Sequence, residues 1–171
     1  MATDLTTLVN VLQQQNQILT NTLRTLQGGI VVLPQPYASV QATPGAPTGT
    51  SSTTAVMMGL AAALTPVVSG RVLIVVSGTI YNASAIADGG KVQLYYGTGT
   101  APANAASLTG TAVGSQPVYI AATTAEKAPF SVQSVVTGLV LGTAIWIDLS
   151  LAAITGGTAN VANLSVSAIE Y

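Results

Sequence analysis

This 171-residue chain predicts a mainly β protein, a C-terminal jelly-roll β-sandwich preceded by an N-terminal α-helical coiled coil, assembled as a homotrimer. Three observations carry the prediction. Leucine recurs every seventh position at Leu5, Leu12, Leu19 and Leu26, the period that keeps one helical stripe facing a partner. The composition is 49% hydrophobic yet only 5% aromatic and 5% charged, so Ala, Val, Thr, Ser and Gly dominate, as in close-packed β-structure. Beyond residue 54, short apolar runs alternate with Gly-rich turns, enough for about seven or eight strands in two sheets.

The first element is the coiled-coil helix, residues 1–29. Thr3 or Asp4 caps it, and Asp4 suits the positive end of the helix dipole. Leu8 holds the second seam position of the first heptad, and Gln15 and Thr22 hold it in the next two. Polar seam residues weaken association but fix register and chain number. A lone helix of this length and polarity is marginal in water, so the stripe needs a partner. No other long helix is legible, so the partner is the same segment of sister chains, three in parallel, through Leu5, Leu8, Leu12, Gln15, Leu19 and Leu26. The alternative is one amphipathic helix lying on its own C-terminal domain. Arg24 suits the negative end of the dipole, and Gly28-Gly29 stops the helix.

Residues 30–53 form the second region. Ile30-Val31-Val32-Leu33 is a strand or an apolar plug. Pro34, Pro36, Pro44 and Pro47 then sit among Gly, Ser, Thr and Ala with no hydrophobic period, which reads as an extended linker or a wrapped arm.

Residues 54–171 read as one all-β head. Ala55–Leu64 is an opening strand or, through Ala61-Ala62-Ala63, a helical turn. Arg71–Tyr81 is the strongest strand, apolar on both faces at Val72–Val76. Asp88-Gly89-Gly90 has turn chemistry and precedes a strand in which Val92, Leu94 and Tyr96 share a face. Gly97–Gln116 reads as a long loop, the best candidate for an outward recognition surface. Val118–Ile120 and Phe130–Val136 are further strands. In Ala144–Leu151, Ile145, Ile147, Leu149 and Leu151 alternate with Trp146, Asp148 and Ser150. The last strand runs from Asn160 to Tyr171, with Leu164, Val166 and Ala168 on one face.

Chemistry is scarce. The chain has no His and no Cys, so catalytic triads, disulfides and thiolate metal sites cannot form. The acids Asp4, Asp88, Glu126, Asp148 and Glu170 are scattered. Asp148 and Glu170, placed on neighbouring strands, are the one pair that could meet as glycosidase carboxylates; the simpler reading puts both on the solvent or interface face, one beside Arg71 or Lys91. Asp88 with Asn82 offers too few oxygens for a calcium loop. Gly97-Thr98-Gly99 lacks the helix and lysine of a phosphate loop. The sequons at Asn82 and Asn163 mean little without secretion. No catalytic residue, metal or cofactor is expected, and the protein is read as no enzyme.

A net charge of −1, with Arg24, Arg71, Lys91 and Lys127 dispersed, lacks the positive field that nucleic acid requires. The most apolar window, Val56–Val76, is broken by Pro66, Ser69, Gly70 and Arg71, so no membrane span is expected. The N-terminus lacks the pattern of a signal peptide. Tyr95, Tyr96, Tyr119 and Trp146 are candidates for a head interface or a surface contact, either buried at a subunit seam or exposed to a glycan or protein.

The order of short coiled coil, Pro/Gly/Thr linker and compact β-head resembles trimeric bacteriophage virion proteins: head fibres, capsid decoration proteins and short tail fibres. Residues Thr137-Gly138-Leu139-Val140-Leu141-Gly142-Thr143-Ala144-Ile145-Trp146-Ile147-Asp148-Leu149, with the ending Val166-Ser167-Ala168-Ile169-Glu170-Tyr171, are similar to phage jelly rolls related to tumour-necrosis-factor and C1q heads. The resemblance implies that the terminal strand lies in the sheet near a threefold axis. It also implies a structural virion protein, made in the host cytoplasm, that contacts the major capsid protein or another virion protein. The alternative is a tail-fibre module recognising a bacterial surface glycan or protein. A secreted C1q-like ligand is a third class, against which the missing signal peptide counts.

Overall fold

The computed structural model describes residues 5–28, 36–84 and 88–171. The chain divides into two units, Met1–Pro34 and Gln35–Tyr171. In the first, α1 spans Leu5–Gly28, 24 residues or about 36 Å at 1.5 Å per residue. Thr20 and Thr22 donate their hydroxyls to the carbonyls of Asn16 and Ile18, four residues back, which satisfies those side chains within the helix. The expected cap at Thr3 or Asp4, the run Ile30–Leu33 and Pro34 lie outside the described residues.

Among the described residues the second unit carries ten strands: β1 (Ser39–Ala42), β2 (Val56–Met57), β3 (Ala62–Leu64), β4 (Val72–Asn82), β5 (Gly89–Thr98), β6 (Thr111–Val113), β7 (Val118–Ile120), β8 (Ala128–Val136), β9 (Ile145–Ala153) and β10 (Ala159–Glu170). Sheet I has the order β1-β10-β4-β8. Sheet II has the order β2-β9-β5-β6, with β3 also on β9 and β7 also on β5. Every pairing is antiparallel. The pairs are nested: β1 with β10, β2 and β3 with β9, β4 with β8, and β5 with β6 and β7. One long antiparallel hairpin has thus been rolled across two sheets, the jelly-roll arrangement.

The core lies between the sheets. Val72, Ile74, Val76 and Ile80 of β4 and Val166 and Ala168 of β10 face Val92 and Leu94 of β5 and Ile145, Ile147, Leu149 and Leu151 of β9. Burying each large aliphatic side chain stabilises the fold by about 1.5–3 kcal/mol. The inward face of β10 changes parity, from Ala159 and Val161 to Leu164, Val166 and Ala168. The register shift between Ala162 and Ser165 explains it, because a bulge with Asn163 at φ 51° inserts one residue. Gly78 of β4 lies opposite, where a Cβ would stand 2.8 Å from the Ala162 carbonyl oxygen and 2.9 Å from Leu164.

Several expectations change in detail. The stretch read as a linker contains β1, whose four residues pair with Val166–Ile169. The single opening strand is two short ones, split where Gly59 (φ 71°) and Ala61 (φ 54°) turn the chain. Gly89 and Gly90 are not a turn: they begin β5, and a Cβ on Gly89 would collide with the Tyr119 carbonyl. The long loop after Gly97 contains β6.

Candidate functional site

The chain has five acids, and among the described residues Asp88, Asp148 and Glu170 are almost completely buried. A buried carboxylate needs donors. Each of these finds them chiefly in backbone N–H groups, most of them on segments distant in sequence.

Glu170 closes β10. Its Oε1 accepts from the amides of Val68 (2.8 Å), Ser69 (2.6 Å) and Gly70 (3.0 Å) and from the Ser69 hydroxyl (3.4 Å). Its Oε2 accepts from the amides of Val67 (2.9 Å) and Ala38 (3.1 Å). Consecutive amides converging on one point form an anion nest, here filled by the chain's own side chain. Burial pushes the Glu170 carboxyl up, but the Val67, Ser69, Val68 and Ala38 amides outweigh it and hold the group far below its ordinary value.

Asp148 projects from β9 away from the inter-sheet core. It accepts from the amides of Gly59 (2.9 Å), Leu60 (3.0 Å) and Leu149 (2.7 Å), fastening the kink between β2 and β3. Here burial wins, and the carboxyl lies above its ordinary value despite the Leu60, Gly59 and Leu149 amides. Asp88 accepts from Gly89 N (2.7 Å), Thr155 N (3.1 Å), the Thr155 hydroxyl (3.1 Å) and Gly156 N. Burial raises it, and the bonds from Thr155, Gly89 and Gly156 overcome that, leaving it below its ordinary value.

Two readings of these acids need correction. Asp148 and Glu170 were expected on neighbouring strands at a solvent or interface face. They stand in different sheets, both buried, each occupied by its own set of amides. The Arg71 guanidinium lies instead over the Tyr171 ring, 5.1 Å from its centroid. Asp88 and Asn82 do meet at one loop junction. Yet the Asn82 Oδ1 accepts from Ser84 N and Thr158 N, and its Nδ2 donates to the Gly89 and Gly156 carbonyls. The oxygens of both side chains face N–H and O–H donors, the wrong lining for a cation. Among the described residues no group of three or more His, Cys, Asp or Glu side chains comes together. Asn82, the first sequon residue, is fully buried.

The aromatic group divides. Trp146 is not a surface residue: its Nε1 donates to the Thr98 carbonyl at 3.2 Å, and its ring lies where a Cβ on Gly97 or Gly110 would be. Tyr96 and Tyr119 are half-buried against the core, and Tyr95 is half-buried. The Tyr119 hydroxyl donates to the Glu126 carbonyl at 3.1 Å; burial and the Glu126 charge raise its pKa. The loop read as an outward surface is tied down, with Ala105 N donating to the Met57 carbonyl (2.8 Å) and Met57 N to the Ala106 carbonyl (2.9 Å). In α1, Leu12 and Leu19 are 54% and 59% exposed, and Gln15 is exposed beside them. The side chains of Leu5, Leu8 and Leu26 fall outside the described residues.

The sequence reading missed the amide clamps. Their signal was present: lone acids set in apolar strands, as at Ile147-Asp148-Leu149 and Ile169-Glu170.

Strand order and clamps together define a jelly-roll-like β-sandwich joined to an N-terminal helix. No helix among the described residues is long and apolar enough to cross a membrane. No family model and no curated protein sequence matches the chain. Among solved structures it is similar to the Eiger TNF from S. frugiperda, at 11% identity and a TM-score of 0.36, over 80% of this chain and 94% of that one. A likeness of that size carries no argument, so the fold rests on the strand pairing described above.

Proposed function

We propose that the protein is a non-enzymatic structural component of a phage virion, a homotrimer decorating or projecting from the capsid. The helix aligns the trimer, and the head faces outward. The observation that carries the self-association is apolar surface left open in both units. In α1, Val9, Val11, Leu12, Ile18 and Leu19 are exposed. In the head, Ile169, Leu73 and Val135 form a row across β10, β4 and β8, in register and exposed on the outer side of sheet I. Apolar surface of this kind marks an interaction face. The buried acids, engaged by backbone amides, support a structural reading over a chemical one. The virion assignment itself draws on the resemblance of the whole layout to phage proteins.

Two measurements test it. Replacing Leu12 and Leu19 with Ser should reduce the mass seen by light scattering from three chains to one; an unchanged mass removes the helix from the assembly. The purified protein should bind capsids that lack it and raise their resistance to heat. Failure to bind, together with adsorption to host cells that blocks infection, would move the same trimer to a tail fibre.

A further inference from the structure

On one side of the sandwich the two sheets end in unlike edges. β8 is the last strand of sheet I, and β7 lies on the outer side of β5 in sheet II. Between them is a cavity of about 190 Å³. Its lining includes Ile80 and Val92 from the core strands, Pro117 and Tyr119 on one flank, and Ala128 and Phe130 on the other. No charged side chain lines it, and the polar tip of Tyr119 is already engaged with the Glu126 carbonyl.

Size, polarity and edge geometry select the occupant. A cavity of about 150 Å³ walled by aliphatic and aromatic groups stays dry and accepts benzene. This cleft is larger and partly open to solvent, with two aromatic rings and two prolines in its walls. A hexose needs hydrogen-bond partners all round its ring, and these walls offer the Ser131 hydroxyl and little else among their side chains beyond the engaged Tyr119 hydroxyl. A peptide strand added to β8 is also disfavoured. Pro129 has no N–H to offer, and Gly114 closes on the strand further along, where a Cβ would stand 2.7 Å from the Gln133 carbonyl oxygen. We infer that the cleft between β7 and β8 is a binding site for a small neutral aromatic molecule, up to the size of a two-ring indole. This inference does not depend on the virion reading.

The test is a titration of the full-length protein with indole, followed by backbone amide NMR shifts. Saturable shifts at Val92, Tyr119 and Phe130, with Kd on the order of 1 mM, are expected for a ligand of this size. Benzoate, which carries a charge, and glucose should each bind at least roughly tenfold more weakly. Ala128 has the smallest side chain in the lining, so Ala128→Leu should fill the cavity and abolish the shifts. Ala128→Val, a smaller intrusion that keeps the strand chemistry, should weaken indole binding and serves if the leucine variant does not fold. The inference falls if no saturable shift is seen up to about 10 mM indole. It falls equally if the shifts map elsewhere, if glucose or benzoate binds as well as indole, or if Ala128→Val leaves the affinity unchanged.

Discussion

On the outer side of sheet II, Trp146, Asp148, Ser150 and Ala152 of β9 are all buried, so that strand is enclosed on both faces. On the outer side of sheet I, the corresponding positions Leu73, Val135 and Ile169 are 36%, 48% and 52% exposed. The difference comes from the chain's own loops. The β2–β3 kink and the Gly97–Thr111 loop cover sheet II, bonded to each other through Met57 and Ala105–Ala106 and to β9 through Met58 N and the Leu149 carbonyl (2.8 Å). No comparable strap is placed over Leu73 and Ile169 among the described residues. One sheet is completed within the chain, and the other keeps apolar surface in a sequence with few charges. Covering a sheet with backbone requires partners for that backbone, and Asp148 supplies them at Gly59 and Leu60.

The largest expected effect breaks the covered side. Trp146→Ala removes the ring that rests on Gly97 and Gly110 and frees the Thr98 carbonyl. Loss of a large buried aromatic costs about 3–5 kcal/mol, measurable as a lower urea midpoint with a similar slope. If the variant unfolds at the wild-type midpoint, the loop does not seal that face.

A middle-sized effect separates two carboxylates by pH. Glu170 has a folded pKa below its ordinary 4.5. Its stabilisation is therefore complete above 4.5 and is lost as pH falls through the folded value. Asp148 has a folded pKa above its ordinary 3.8, so the cost of its buried charge is absent below 3.8 and grows as pH rises through the folded value. The melting temperature of Glu170→Gln should approach that of the wild type as pH drops below 4.5. The deficit of Asp148→Asn should widen as pH drops toward 3.8. Two deficits that move together with pH would show that the carboxylates are held alike.

How much of this was legible depended on the range of the signal. Alternation exposed β9, because Ile145, Ile147, Leu149 and Leu151 repeat with the pleat. It could not reveal that Trp146 and Asp148 opposite are also buried, since the segments covering them are remote in sequence. β1 was hidden because four residues flanked by prolines and glycines carry too little pattern, and its partner is β10 at the far end of the chain. Asp88-Gly89-Gly90 has the chemistry of a turn, yet Gly89 is required by the closeness of the Tyr119 carbonyl, and Gly90 lies against the tip of the Ile80 side chain. For Glu170 the presence of an acid in an apolar strand could be seen, but not its donor at Ala38, 132 residues away.

The smallest effect on stability should fall on the open side, and it sharpens the contrast most. Leu73 and Ile169 are 36% and 52% exposed, so replacing both with Ser should cost the dilute single chain only about 1 kcal/mol at each site. Association should respond differently. If sister heads cover this row, the same variant loses apolar contact at every subunit boundary and dissociates at a higher protein concentration than the wild type. Leu12→Ser with Leu19→Ser acts on the other unit, so the two pairs of substitutions locate the association in the head, in the helix or in both. Sedimentation over a range of concentrations reads this directly, and Trp146→Ala provides the control, since it should lower stability without first changing mass. A Leu73→Ser, Ile169→Ser protein that unfolds early but assembles normally would reverse the comparison: sheet I would then be buried within its own protomer, and sheet II would be the side that needs a partner.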